Sequence, residues 1–321
     1  MLGPQHVGQR VVVRRFVGMR DARPVFSDIL GQLLEATETH LTVRARSGAV
    51  RVPIHEITRA KTVPPRRRFT PTESLEAAAA KGWPPAEHAQ LGDWILRATD
   101  GWTQRANSAL TIGDPDLPLP DAIDFVQRWY RERSLVPAMS VPVPLFQRLD
   151  DELERRGWFA NPVTQVMTAP LPQLLSTLAQ TPWTSAGRVE LADAPSAEWL
   201  AAVGGRKGPL PPKAVAVLTQ VPHVRFAEWY AEDGALMATA RGCVADDDSR
   251  WLGLSLIGVD ERYRRQGLAQ RLIAALCEWA VSLGARDAYL QVEQRNTPAV
   301  ALYERLGFTV HHAYSSRRLL D

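Results

Sequence analysis

Between an apolar run, Trp251 to Val259, and an amphipathic one, Leu268 to Leu283, the chain carries Arg264-Arg265-Gln266-Gly267-Leu268-Ala269. The spacing predicts a strand, a tight turn and a helix, and such a turn directs its backbone N–H groups outward. Those donors and the positive end of the helix dipole make a pocket for a pyrophosphate. Gly267 and Ala269 matter because a larger side chain would hold phosphates away from the main chain. Ordinary strand-to-helix punctuation gives the same pattern, so the turn needs a second signal.

That signal follows the helix. A short strand, Ala288 to Glu293, leads to Asn296, a helix carrying Tyr303, the pair Gly307-Phe308 and a final strand. This order and these residues resemble the GNAT superfamily of N-acetyltransferases, over roughly Arg188 to Tyr314. The resemblance implies that acetyl-CoA is the cosubstrate and that no metal is needed. It places the CoA pyrophosphate on the loop of Arg264, Arg265, Gln266, Gly267, Leu268 and Ala269. It makes the strand with Ile257 and Val259 pair its backbone with the pantetheine arm, as a peptide adds to a sheet edge. It gives Tyr303 the role of protonating the departing thiolate and sets Asn296 at the start of the last helix. An amphipathic core tyrosine and an ordinary helix cap are the alternative readings of Tyr303 and Asn296.

Acyl transfer to an amine also requires a proton to leave the attacking nitrogen. A lysine-type amine, with pKa about 10.4, costs about 4.6 kcal/mol to be neutral at pH 7, whereas an α-amine near 7.7 costs only about 1. A general base therefore matters more for the former. In the resembled family this base is often a glutamate on a central strand. The strand Trp251 to Val259 has no acid, so Glu293 is the first candidate and Glu228 the second. Either also fits a surface carboxylate, and Glu293 a partner of Arg295. Arg262 and Arg271 join Arg264 and Arg265 as candidate phosphate contacts. Asp246-Asp-Asp248 would attract a cationic substrate or simply solvate a hairpin. His311 and His312 share a strand, so one should face inward and the other outward; neither has metal-ligand spacing.

The elements that hold these residues occur twice. Trp129 and Gly157-Trp158 stand 150 residues before Trp279 and Gly307-Phe308 without a gap. The earlier copy has Asp114-Pro-Asp-Leu-Pro-Leu119 where the phosphate turn would lie, and its prolines remove donors while its aspartates repel phosphate. It is expected to bind no CoA and to form a wall of the acceptor pocket. Arg105-Ala-Asn-Ser108 is its most polar compact cluster, a candidate substrate contact or plain turn chemistry. Ahead of it, residues 8 to 62 alternate in short runs, with bends at Gly31 and Ser47-Gly48, which fits a small β-barrel resembling the Src-homology-3 type.

The expected organisation is therefore a barrel over 1–63, a basic linker over 64–71, a degenerate GNAT-like domain over 72–180 and a catalytic GNAT domain over 186–321. The fold class is α/β (α+β), tandem, with a small all-β barrel in front. This arrangement resembles a duplicated group known from actinobacteria, some of them described as histone-acetyltransferase-like, a description that fixes no acceptor.

The first 70 residues hold 13 Lys/Arg against 5 Asp/Glu, and the remaining 251 hold 25 against 30. A basic front could make weak contact with nucleic acid or an acidic protein, or serve only solubility. No run of 18 apolar residues and no signal-like N-terminus is present, so no membrane association and a cytoplasmic location are expected. Cys243 and Cys277 form no framework and are expected as buried thiols. The ten tryptophans read as core and interface packing. The leading reading is acetyl or short-acyl transfer from CoA to a primary amine, a protein lysine or a small molecule, in a ternary complex. A non-catalytic acyl-CoA sensor or a nucleic-acid-associated adaptor is the alternative.

Overall fold

The computed structural model describes residues 2–20, 23–45, 48–63, 69–181, 186–246 and 250–320, except the side chain of Lys207. Arg46, Ser47, most of the basic linker (64–68), Trp183, Asp247 and Asp248 lie outside them. The chain divides into two compact units, Met1–Arg68 and Phe69–Asp321.

In the first unit, β1 (Arg10–Arg20), β2 (Arg23–Ala36), β3 (His40–Ala45), β4 (Gly48–Pro53) and β5 (Ile57–Thr62) form an antiparallel sheet in the order β4-β3-β2-β1-β5. Alternation places Val11, Val13, Leu33, Leu41, Val43 and Val52 in one core. The sheet of the expected small barrel does not close among the described residues. Closure needs a ladder between the two edge strands, but β4 runs into the 3-10 turn Ile54–Glu56 while β5 joins the far side of β1. No pairing links β4 to β5 among the described residues.

The second unit begins with α1 (Pro71–Lys81), held by a capping box. Thr70 N–H donates to Glu73 Oε2 at 2.7 Å, and Glu73 N–H donates back to Thr70 Oγ1. Next come β6 (Glu87–Leu91), β7 (Trp94–Ala98), β8 (Ala109–Leu110), α2 (Leu119–Arg131), β9 (Ala138–Val143), α3 (Gln147–Arg155), β10 (Phe159–Ala160), β11 (Thr164–Pro170) and α4 (Leu171–Ala179). The later half holds β12 (Arg188–Ala192), α5 (Ala197–Lys207), α6 (Pro212–Thr219), β13 (His223–Tyr230), β14 (Leu236–Val244), β15 (Trp251–Val259), α7 (Leu268–Ser282), β16 (Asp287–Glu293), α8 (Thr297–Arg305) and β17 (Thr309–Arg318).

One sheet runs through both halves in the order β12-β13-β14-β15-β16-β11-β17-β9-β8-β7-β6, with β10 added to β17. The halves exchange their last strands: β11 follows α3 yet pairs antiparallel with β16, and β17 follows α8 yet pairs antiparallel with β9. Cores follow space rather than sequence. Met167 and Ala169 of β11 and Leu171, Leu174 and Leu178 of α4 pack with the α7 stripe Leu272, Ile273 and Leu276, all buried. Each of these leucine, isoleucine and methionine side chains stabilises the fold by roughly 1.5–3 kcal/mol. Trp94, Ile123, Val126, Trp129, Leu153 and Trp158 belong to the core of the earlier half.

Candidate functional site

β15 and β16 run parallel and in register only from Trp251–Leu254 against Asp287–Leu290. Beyond that point they part. Opposite β14, Ser255 faces Arg241 and Gly258 faces Thr239, so Leu256 and Ile257 together oppose Ala240 in a β-bulge. Leu256 has φ +54°, a left-handed conformation costly for a branched side chain. Arg206 of α5 braces the bulge, donating to Thr239 Oγ1 at 2.7 Å and to Leu256 O at 3.3 Å, with burial lowering its pKa. A Cβ on Gly258 would overlap the Arg206 guanidinium.

The parted strands open into a cleft of about 650 Å³, whose walls include Ser255, Ile257, Glu293, Asn296 and Tyr303. Val259 lies further along β15 toward the turn. Tyr303, on α8, is 9% exposed, and burial pushes its pKa up to about 12. It meets Phe308 edge-on at 5.9 Å. The phenol thus stays protonated throughout the neutral range and can give a proton. Asn296 caps α8 through its carbonyl, which accepts from Ala299 and Val300, rather than through its side chain.

The turn before α7 has the geometry that an anion needs. Arg265 and Gly267 have φ +63° and +79°, and α7 opens at Leu268 with no side-chain cap. Among the described residues no hydrogen bond ends on the N–H groups of Gly267, Leu268 or Ala269, so the first turn keeps donors for an outside acceptor. Leu268 and Ala269 are themselves buried. Arg262 is held by Asp260, whose carboxylate is lowered to about 2 by the hydrogen bonds from the Arg262 side chain and backbone. Arg264 pairs with Glu261 at 2.9 Å, and Arg271 lies 5.9 Å from the Trp229 ring. Arg265 is exposed and has no polar partner among the described residues.

The two candidate bases separate. Glu293 is on the cleft wall, exposed, and accepts from Arg295 Nε at 2.7 Å. Glu228 is buried away from the cleft lining: it accepts from Ser196 Oγ at 2.5 Å and from Tyr230 OH at 2.9 Å. Ser196 also caps α5 by accepting from Trp199 N–H, so Glu228 anchors that helix. His312 faces inward onto Glu76, with Nε2 2.8 Å from Oε1, and His311 is exposed. Asp246 pairs with Lys81 at 2.6 Å, and both cysteines are buried free thiols. No group of His, Cys, Asp and Glu suited to a metal occurs among the described residues.

The family model "Probable histone acetyltransferase Rv0428c C-terminal" matches residues 72–317. The chain belongs to this family. It is a GNAT-type acetyltransferase, as its relatives' names and fold agree. Over 313 residues it is 28% identical to the probable histone acetyltransferase Rv0428c of Mycobacterium tuberculosis, covering 95% of this chain and 93% of that one. It is 29% identical over 250 residues to the uncharacterized N-acetyltransferase YobR of Bacillus subtilis, covering 76% and 98%. Two solved structures share the fold. A GCN5-related N-acetyltransferase from Kribbella flavida has TM-score 0.60 and 16% identity over 78% of this chain and 96% of its own. A tandem GNAT protein from the clavulanic acid biosynthesis pathway has TM-score 0.55 and 13% identity over 79% and 89%.

Within this GNAT frame the earlier half closes the turn that the later half leaves open. Gly113 N–H donates to Glu73 Oε1, Asp114 N–H to Asp93 Oδ2 and Asp116 N–H to Asp114 Oδ1. Side-chain carboxylates tie down the loop ahead of α2, and at the helix start itself Pro118 and Pro120 supply no N–H. The earlier half instead supplies the far wall of the cleft, with Trp83 and Trp102 stacked at 5.8 Å beside Thr103, Gln104 and Arg105. Arg105 stood out in the sequence. The two tryptophans did not, since nothing in their spacing distinguishes a cleft wall from a core. Among the described residues no helix is long and apolar enough to cross a membrane.

Proposed function

We propose that the later half, 186–321, transfers an acetyl or short acyl group from acetyl-CoA to a primary amine by direct attack in a ternary complex, while the earlier half, 72–180, binds no CoA and shapes the acceptor side. The observation that carries this is the parting of β15 and β16 onto Tyr303, next to a helix start whose N–H groups are unclaimed. Gly267, Leu268 and Ala269 would hold the pyrophosphate, with Arg264, Arg265 and Gln266 beside them. The free edge of β15 at Ile257 and Val259 would receive the pantetheine amides, and a main-chain N–H at the bulge would polarise the thioester carbonyl.

Catalysis comes chiefly from holding amine and thioester together in the cleft. The amine nitrogen bonds to the carbonyl carbon, the carbon–sulfur bond breaks, and Tyr303 gives its phenolic proton to the sulfur. Burial keeps the phenol protonated until the thiolate departs. Glu293, through water at the rim, takes the proton from the amine.

Support for a protein lysine as acceptor comes from the name of the Mycobacterium tuberculosis relative, a probable histone acetyltransferase; support for a small molecule comes from the cleft volume of about 650 Å³, that of a small-molecule site. The test is coenzyme thiol release with peptide and small-amine panels, beside acetyl-CoA binding by calorimetry. Absence of acetyl-CoA binding would reject the reading. Binding without thiol release on any amine would favour an acyl-CoA sensor.

A further inference from the structure

The wall contributed by the earlier half is short of acceptors. Among the described residues, Trp102 Nε1, Gln104 Nε2, Arg105 Nε, Asn161 Nδ2 and Ser255 Oγ are shielded from bulk water without a hydrogen-bond partner, and all five residues line the cleft. The indole and guanidinium nitrogens can only donate, and so can the amide nitrogens as assigned. Buried donors left unmade are costly, and native structures keep few of them. Three of the five belong to the single segment 102–105.

Arg105 differs from the other arginines around it. Its guanidinium lies 5.5 Å from the centre of the Trp83 ring, and that of Arg241 lies 5.2 Å from the same ring. Arg241 donates to Leu218 O at 2.9 Å and Gly82 O at 3.2 Å, and the neighbouring buried Arg97 donates to Ser108 O and Ser108 Oγ. Arg105 has neither hydrogen bond nor ion pair among the described residues. The other charge on the cleft wall, Glu293, is taken by Arg295. An unopposed planar fork, backed by an aromatic face and flanked by further donors, matches a carboxylate in shape and sign.

We propose that Arg105 binds a substrate carboxylate in this cleft. The carboxylate belongs either to the acceptor amine or to the far end of the acyl group. This rests on the acyl-transfer reading above but makes a separate demand on the substrates.

Two arms separate the sources. In the first, acetyl-CoA is paired with amino acids and their decarboxylated counterparts: phenylalanine with phenethylamine, tryptophan with tryptamine, alanine with ethylamine. In the second, succinyl-CoA is compared with acetyl-CoA on the plain amines. Thiol release and calorimetric affinity are read for the full chain, for Arg105→Gln and for Arg105→Lys. The expected result is a preference on the order of 100-fold for the acid-bearing member in one arm. It should fall to near unity in Arg105→Gln and recover in part in Arg105→Lys. Equal use of both members in both arms would overturn the proposal, as would a preference that survives Arg105→Gln. If acids bind with an Arg105-dependent preference but no thiol is released, acyl transfer falls and the carboxylate site stands. If plain amines are acylated without preference, transfer stands and the carboxylate site falls.

Discussion

Arg317 of β17 donates to both carboxylate oxygens of Asp150 on α3, at 2.9 and 2.7 Å, across 167 residues of sequence. The pair is nearly buried, with 8% and 11% of the side chains exposed. It fastens the exchanged strand to the opposite half. Desolvation is the largest single influence on the Asp150 carboxyl and pushes its pKa up, but hydrogen bonds from Arg317 and Ser315 and the Arg317 charge together bring it below the usual value.

Removing this carboxylate leaves the buried guanidinium with only Trp158 O and the exposed Glu154 as partners. Asp150→Ala is expected to lower stability by about 3 kcal/mol in urea titrations. The stabilisation is fully present above the unfolded carboxyl's pKa, about 3.9, and is lost as pH falls through the lower folded value. The gap between wild type and variant should therefore narrow toward pH 3. A loss under 1 kcal/mol would show that the strand is held by other contacts.

For Tyr303→Phe, turnover should fall by about 10²–10⁴-fold with acetyl-CoA affinity nearly unchanged. Because the phenol titrates only near pH 12, the wild-type pH–rate profile should show no Tyr303 limb below about pH 10. Full activity in the variant would remove the acid role.

Gly267 combines φ +79° with the start of α7. Gly267→Val should weaken acetyl-CoA binding by on the order of 100-fold, read by calorimetry, because it both strains the turn and fills the phosphate cradle. An unaltered dissociation constant would move the cofactor elsewhere.

Glu293→Gln should slow transfer to a lysine-type amine by about tenfold or more at pH 7. Activity should recover as pH approaches the amine's own pKa, about 10.4, where no base is required. A constant deficit across that range would mean that Glu293 positions Arg295 or substrate instead.

One acetyl-CoA should bind per chain. In the earlier half the N–H groups of Gly113, Asp114 and Asp116 already meet carboxylates. Two equivalent sites in a titration would contradict that closure.

The elements themselves were legible because helix and strand periods are local. The 150-residue offset that relates Trp129 to Trp279 also relates α3 to α8, residue for residue. The pattern Arg264 to Ala269 likewise marked a strand, a turn and a helix. Pairing was not legible: β11 shows the same alternation whether it returns to β9 or crosses to β16, and only the assembled sheet decides. Nor does a leucine at 256 announce a positive φ, since the bulge is imposed by register with β14 and by Arg206. Glu228 looked like a strand carboxylate with a free choice of role until α5 brought Ser196 onto it. The barrel expectation rested on strand count and bends, which say nothing about whether two edges meet.

The crossing of β11 and β17 also sets a timetable. β17 leaves the ribosome after the other strands of the described residues, and until it arrives β9 and β11 each hold a bare edge in the middle of the sheet. Such edges invite pairing with neighbouring chains. During synthesis, then, the nascent chain is most exposed to sticking to its neighbours in the interval before β17 slides home.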